Sequence, residues 1–197
     1  VDIGENTYKF KDGYFAGTLT SGNVSIADSI LHTGDTDTAI RFPAADTFTV
    51  QTNGAERLRI TSGGGFHFTN GELIEQANIT AGKLSDNTNI DLENGMVHLF
   101  TTTETTTSTP NIRVNSSTSL NSVMAIGEVI SVTLITTAAA AGYSAQLTID
   151  GGAVTENWTG GSAPSTGGSS GVDIYAYTII KTADATFTVI GTLTTTS

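Results

Sequence analysis

The chain has 197 residues and a formal net charge of −11, with 19 acidic and 8 basic residues and no cysteine. Charged residues make up 14% and aromatic residues 7%, against about a quarter charged in an ordinary soluble domain. The cations (Lys9, Lys11, Arg41, Arg57, Arg59, Lys83, Arg113 and Lys181) are scattered, which excludes a phosphate-neutralising patch and therefore nucleic acid as an expected partner. Disulfides and thiolate metal sites are excluded too. No apolar run has the length of a membrane span, and no signal peptide is visible. The chain begins at Val1 rather than Met, which reads as a processed product or one piece of a longer protein.

Thr, Ser, Gly and Ala dominate, and their hydroxyls and small side chains suit strands and turns. Val, Ile, Leu, Phe and Tyr recur at close intervals, so this is not a disordered composition. The opening "VDIGENTYKFKDGYF" has the character of a strand able to insert into another subunit's sheet. In "HTGDTDTAIRFPAADTFTVQTNGAERLRITSGG", residues 32–64, "AIRFP" predicts a short strand ended by Pro43. "DTFTVQT" alternates, with Phe48 and Val50 on one face. Asn53–Gly54 is a two-residue hairpin signal, because both residues tolerate positive φ. "ERLRIT" alternates again, Leu58 and Ile60 against Arg57 and Arg59. Each strand offers two or three apolar side chains, too few for an independent core in this half. Self-association about a shared axis would supply the missing burial.

"GELIEQANITAGKL" is the best candidate for a helix, through Leu73, Ile74, Ala77 and Leu84. Asn78, Thr80 and Gly82 oppose it, and an irregular β segment fits as well. Near Gly95 the texture changes. "GEVISVTLITT", "YSAQLTID" and "GVDIYAYTIIKTADATFTVIGTL" predict longer strands, with turns at Asp150–Gly151 and in "KTADA". Six to eight strands in about 100 residues suit a β-sandwich or jelly roll. The expected fold is all-β: a region of short strands over 1–94 forming a fibrous shaft, then a sandwich-like domain over 95–197. The small, polar loop "GGSAPSTGGSSG" is expected on the surface.

Residues 32–64 resemble a module of fibre-like structural proteins of tailed bacteriophages, especially marine and cyanobacterial ones. "ENTYKFKDGYFAGTLTSG" looks like the lead-in to such modules. The stretch from "GMVHLFTT" to "YTIIKTADATFTVIG" is similar to a terminal domain of phage structural proteins. The resemblance implies a virion appendage, a homotrimeric fibre or spike with a shaft and a distal β-domain. Many such proteins end in a self-cleaving chaperone domain, and this sequence shows none.

Candidate sites are sparse. Asp35 and Asp37 have the D-x-D spacing that hard cations favour, but lack the glycine and closing glutamate of a calcium loop. A plain turn competes as the reading. The acidic stretch "SDNTNIDLENG" reads as a linker. Arg57 and Arg59 are either anion contacts or, better, partners of Glu56 or of acids on a neighbouring chain. His67, between Phe66 and Phe68, is the best placed of the three histidines to lie on a trimer axis. His32 and His98 lie far from it in sequence. Trp158, the sole tryptophan, stands beside Asn157 and the flexible loop. It is either a stacking face for a sugar ring, assisted by Tyr143, Tyr175 and Tyr177, or a core residue. Four N-x-S/T sequons occur, at Asn23, Asn78, Asn115 and Asn157.

No Ser–His–Asp grouping carries a hydrolase signature. No catalytic residue, cofactor or membrane insertion is expected. The expected role is that of a non-enzymatic virion structural protein on the particle surface. Its expected partners are copies of itself, other virion proteins, and a host-surface polysaccharide or protein. The alternatives are a repeating subunit of a strand-exchanged extracellular filament and a capsid-decoration protein.

Overall fold

Alternating side chains from Ser29 onward build a five-stranded antiparallel meander. Its strands are β1 (Ser29–His32), β2 (Asp35–Ala44), β3 (Thr47–Thr52), β4 (Ala55–Ile60) and β5 (Phe66–Phe68), paired in sequence order. The structure is a computed structural model that describes residues 16–196; the candidate inserting strand over residues 1–15 lies outside the described residues. Asn53 and Gly54 have φ of 52° and 67°, the left-handed pair that closes a tight hairpin between β3 and β4. Pro43 does not end its strand. The register shifts between Arg41 and Ala44, a bulge that absorbs the residue unable to donate to the ladder.

The register sorts the side chains of this sheet. Ile30, Ile40, Val50, Leu58 and Phe68 are successive cross-strand partners and form one row. Phe48, Ile60 and Phe66 form the next, and Phe42 meets Phe48 edge-on at 6.1 Å. Nine large apolar side chains therefore share one face. Arg41, Thr49, Arg59 and His67 line the other. Ala39 is the single buried apolar residue among the described residues of this unit.

The chain divides into two compact units between Leu73 and Ile74. The second unit contains β6 (Asn78–Thr80), β7 (Asn89–Asp91), β8 (Val97–Thr103), β9 (Asn111–Arg113) and a one-turn helix α1 (Leu120–Val123). These are followed by β10 (Val129–Thr137), β11 (Thr148–Ile149), β12 (Gly152–Ala153), β13 (Glu156–Trp158), β14 (Val172–Ala183) and β15 (Thr186–Thr195). The expected break near Gly95 falls earlier because Ile90 and Leu92, in the stretch read as a linker, and Leu84 just before it are buried in the core of the second unit. The helix considered over 71–84 is absent. Its place is taken by irregular chain, the short strand β6 and a 3-10 turn at Leu84–Asp86.

The second unit is a two-layer sandwich. One sheet runs β13-β15-β14-β10-β8-β6, the other β12-β11-β9-β7. Its first half is wound as a coil. β6, β8 and β10 pair in parallel in one layer, and β7, β9 and β11 pair in parallel in the other. The chain crosses from layer to layer between them. A long antiparallel meander, β10-β14-β15, completes the larger sheet. The interior holds Leu84, Ile90, Phe100, Ile112, Val132, Leu134, Leu147, Tyr175, Tyr177, Ile179 and Val189. In β10, Val132 and Leu134 point inward while Val129 is exposed, which resolves a strand whose two faces are both apolar in sequence. No helix among the described residues is long and apolar enough to cross a membrane.

Candidate functional site

The side chains of Tyr143, Asn157 and Trp158, separate in sequence, line one cleft of about 650 Å³ in the second unit. Its walls come from Thr107–Thr109, the segment 143–146, strand β13 and the turn at 161–163. β13 lies at the edge of the larger sheet, parallel to β15, with Asn157 opposite Ile190 and Trp158 opposite Gly191. Two successive left-handed glycines, Gly160 (φ 89°) and Gly161 (φ 83°), reverse the chain after β13. The Gly161 N–H donates to the Trp158 carbonyl at 3.0 Å, and Ser162 and Ala163 close that side of the cleft.

Trp158 lines the cleft and also takes the core position weighed for it. Its ring packs against the core and meets Tyr177 edge-on, with centroids 6.0 Å apart and planes at 69°. Tyr177 in turn stacks on Tyr175 at 6.4 Å. Those two tyrosines are fully buried, so they support the tryptophan from behind rather than assist at the surface. Burial pushes the Tyr175 hydroxyl up to about 12, although it accepts the Ser144 N–H at 3.0 Å. Burial also pushes the Tyr177 phenol up. The Ser144 hydroxyl beside Tyr177 donates instead to the Ser108 and Gln146 carbonyls, at 3.1 Å each.

The polar lining is partly engaged. Asn157 Nδ2 donates to the Val189 carbonyl at 3.1 Å, which fixes the side chain at the sheet edge. Glu156 Oε1 accepts the Leu147 N–H at 2.5 Å. Trp158 Nε1 and Ser108 Oγ are buried with no hydrogen-bond partner among the described residues. Glu156, Gln146 and Ser108 were not singled out from sequence. The only sequence signal of Glu156 and Gln146 is nearness to Trp158 and Tyr143, and Ser108 carries none.

The other candidates separate. Asp35 and Asp37 come together, close enough for their carboxyls to share a hydrogen bond. That contact with Asp37 lowers the Asp35 pKa and raises that of Asp37. His32 Nδ1 lies 3.9 Å from Asp35 Oδ2. Among the described residues no group of three His, Asp or Glu side chains is placed to hold a metal ion. His67 does not share a face with Phe66 and Phe68. It pairs with Arg59 on the polar side, while the two phenylalanines join the apolar rows, because adjacent strand residues point to opposite faces. A single axis therefore cannot collect all three.

Arg59 pairs with Glu56, Nε to Oε1 at 2.9 Å and Nη2 to Oε2 at 2.5 Å. Arg57 stands at a register shift and donates to Thr52 Oγ1 at 2.9 Å and to the Asn70 carbonyl. Both arginines are thus occupied within their own sheet. Three sequon asparagines are also occupied: Asn78 bonds His98 at 3.2 Å, Asn115 donates to Glu93 at 2.8 Å, and Asn157 is tied to Val189.

No family model matches the chain, and no curated protein or solved structure matches it.

Proposed function

We propose that the chain is a non-enzymatic structural subunit of a phage virion appendage. In this reading it is a homotrimeric fibre or spike on the particle surface that takes part in attachment to the host. The observation that carries the reading is the apolar face of the five-stranded sheet. At strand spacings of about 4.8 Å and about 7 Å between side-chain rows, five strands and two rows cover on the order of 300 Å². The largest apolar patch on an ordinary monomer is about 300–600 Å² and is often functional. Phe66 and Phe68 on it are 65% and 56% exposed. A single-layer sheet with one buried apolar residue gains little by folding alone, and identical copies turning the same rows inward would bury them. The resemblance of residues 32–64 to phage fibre modules supports the same reading, and a multivalent appendage converts weak contacts into firm attachment.

Light scattering on the native full chain tests it. A single species of three chains is expected. Phe68→Asp should reduce it to one chain, while His67→Asp, on the opposite face, should leave the mass unchanged. A native monomer would overturn the assembly and favour a decoration protein. A series growing with concentration would favour the strand-exchanged filament.

A further inference from the structure

We propose that the cleft around Trp158 binds a neutral saccharide. The inference deepens the attachment reading, on which its biological use rests, but the cleft's own geometry carries it. A volume of about 650 Å³ falls within the range of about 300–1,000 Å³ found for small-molecule sites. The lining combines two aromatic side chains, Tyr143 and Trp158, with hydroxyl and amide groups from Thr107, Ser108, Gln146 and Asn157. That is the complement of a sugar ring, which offers an apolar C–H face and a rim of hydroxyls that both donate and accept.

Charge narrows the class. Among the described residues no lysine, arginine or histidine lines the cleft, and Glu156 does. A carboxylate in the wall repels uronic, sialic and phosphorylated sugars and accepts hydrogen bonds from uncharged hydroxyls. The Glu156 carboxylate is held in place by the Leu147 N–H.

The floor is stiff. Trp158 is wedged between Tyr177 and Gly191, so its ring is pre-positioned and little freedom is lost on binding. Among the described residues the lining offers no nucleophile paired with a base, and Glu156 is its single carboxylate, so a two-carboxylate hydrolysis has no second member among them.

Trp158 is the only tryptophan, which makes intrinsic fluorescence a reporter of this cleft alone. The full native chain, fluorescently labelled, is applied to a glycan array carrying neutral, sialylated and uronic-acid glycans. The best neutral hit is then titrated as a free oligosaccharide against tryptophan emission. Expected are hits confined to neutral glycans, a saturable emission change, and at least a tenfold weaker response in Tyr143→Ala and in Glu156→Gln, with both variants still melting cooperatively. An array without neutral hits, hits dominated by acidic glycans, or a neutral hit that leaves emission and both variants unaffected overturns the proposal. The mass measurement separates the two readings. A monomer that binds a neutral glycan removes the trimeric fibre and keeps the cleft, and a trimer that binds none does the reverse.

Discussion

The Trp158 indole lies so close to Gly191 that a Cβ at residue 191 would stand 3.0 Å from two of its ring carbons. The glycine is thus the seat that lets the ring lie against β15 and turn an edge to Tyr177. Gly191→Ala should force the indole outward. Crowding of this kind costs about 1–3 kcal/mol. Denaturant melts of the full chain should show that loss together with a red-shifted tryptophan emission. An unchanged emission maximum would show that the ring is not seated on residue 191.

Glu104 is 1% exposed and anchors the loop between β8 and β9. Burial by itself would raise its pKa. Hydrogen bonds from the Ser85 hydroxyl and N–H, and from the Thr106 and Thr105 N–H groups, outweigh burial and leave it lowered from 4.5. The carboxylate's stabilisation is therefore complete above its unfolded pKa and is lost as pH falls through the lower folded value. Glu104→Gln should cost about 2 kcal/mol near neutrality, since hydrogen bonds to a charged group are worth about 1.5–3 kcal/mol. The variant should also show a shallower loss of stability below pH 4.5. Parallel acid melts of the two proteins measure both effects.

His98 is a second acid-sensitive group, in a separate pH range. Burial lowers its pKa from 6.5, opposed by the Gly95 carbonyl and the Asp91 charge. Nε2 lies 3.0 Å from that carbonyl, and Nδ1 lies 3.2 Å from the Asn78 amide. The neutral ring donating from Nε2 and accepting at Nδ1 satisfies both contacts. In that state the unfolded chain binds a proton before the folded chain does. Stability is complete above 6.5 and falls as pH drops through the depressed folded value. His98→Gln should be less stable at pH 8 and should lose the pH dependence that sets in as pH falls below 6.5. A wild-type melting temperature that stays flat as pH falls below 6.5 would contradict the assignment.

Much of this fold is legible in the sequence where local rules decide. Strict alternation gave away β3, β4, β14 and β15, and the left-handed pairs Asn53–Gly54 and Asp150–Gly151 close hairpins as such dipeptides do. Alternation also located the faces of the first sheet, but the tempting triplet Phe66-His67-Phe68 splits across them. The grouping of Tyr143 with Asn157 and Trp158 came from chemistry rather than from pattern, and Glu156 beside them carries no local mark. Parallel pairing was the main thing hidden. Antiparallel neighbours are joined by short turns, whereas this coil brings together residues about 20 to about 37 apart, with nothing in between to announce the partner. β11 was also shorter than its alternating segment: Ser144 is buried with its hydroxyl bonded to the Ser108 and Gln146 carbonyls, and the strand begins only at Thr148. A trace was present even so: "NIDLEN" and "NIRVNS" repeat the same alternation, Asn89 against Asn111, Ile90 against Ile112.

That repeat makes the last prediction. In the coil, Asn111 Nδ2 donates to Asn89 Oδ1 at 2.9 Å, and Asn111 Oδ1 accepts from Thr148 Oγ1 at 3.0 Å and from the Gly151 N–H at 2.7 Å. One side chain therefore ties β7, β9, β11 and the turn after it into a polar ladder alongside the buried Ile90 and Ile112. The next rung is ionic, Arg113 Nε to Asp91 Oδ1 at 2.6 Å, and the one after is Asn115 with Glu93. The rungs are not equivalent. Asp91 and Arg113 are partly solvated, and such pairs contribute about 1 kcal/mol or less. Asn111 makes three bonds at about 0.5–1.5 kcal/mol each, one of them with the part-buried Thr148 hydroxyl. Asn111→Ala should therefore cost about 2–3 kcal/mol, Asn89→Ala about 1 kcal/mol, and Asp91→Asn less than Asn111→Ala. Asn111→Asp keeps both accepted bonds and loses the one donated to Asn89, so it should fall between the two alanine variants. Chemical denaturation of the four variants gives the order. If Asp91→Asn proves the most damaging, the ionic rung and not the asparagine rung holds the coil together.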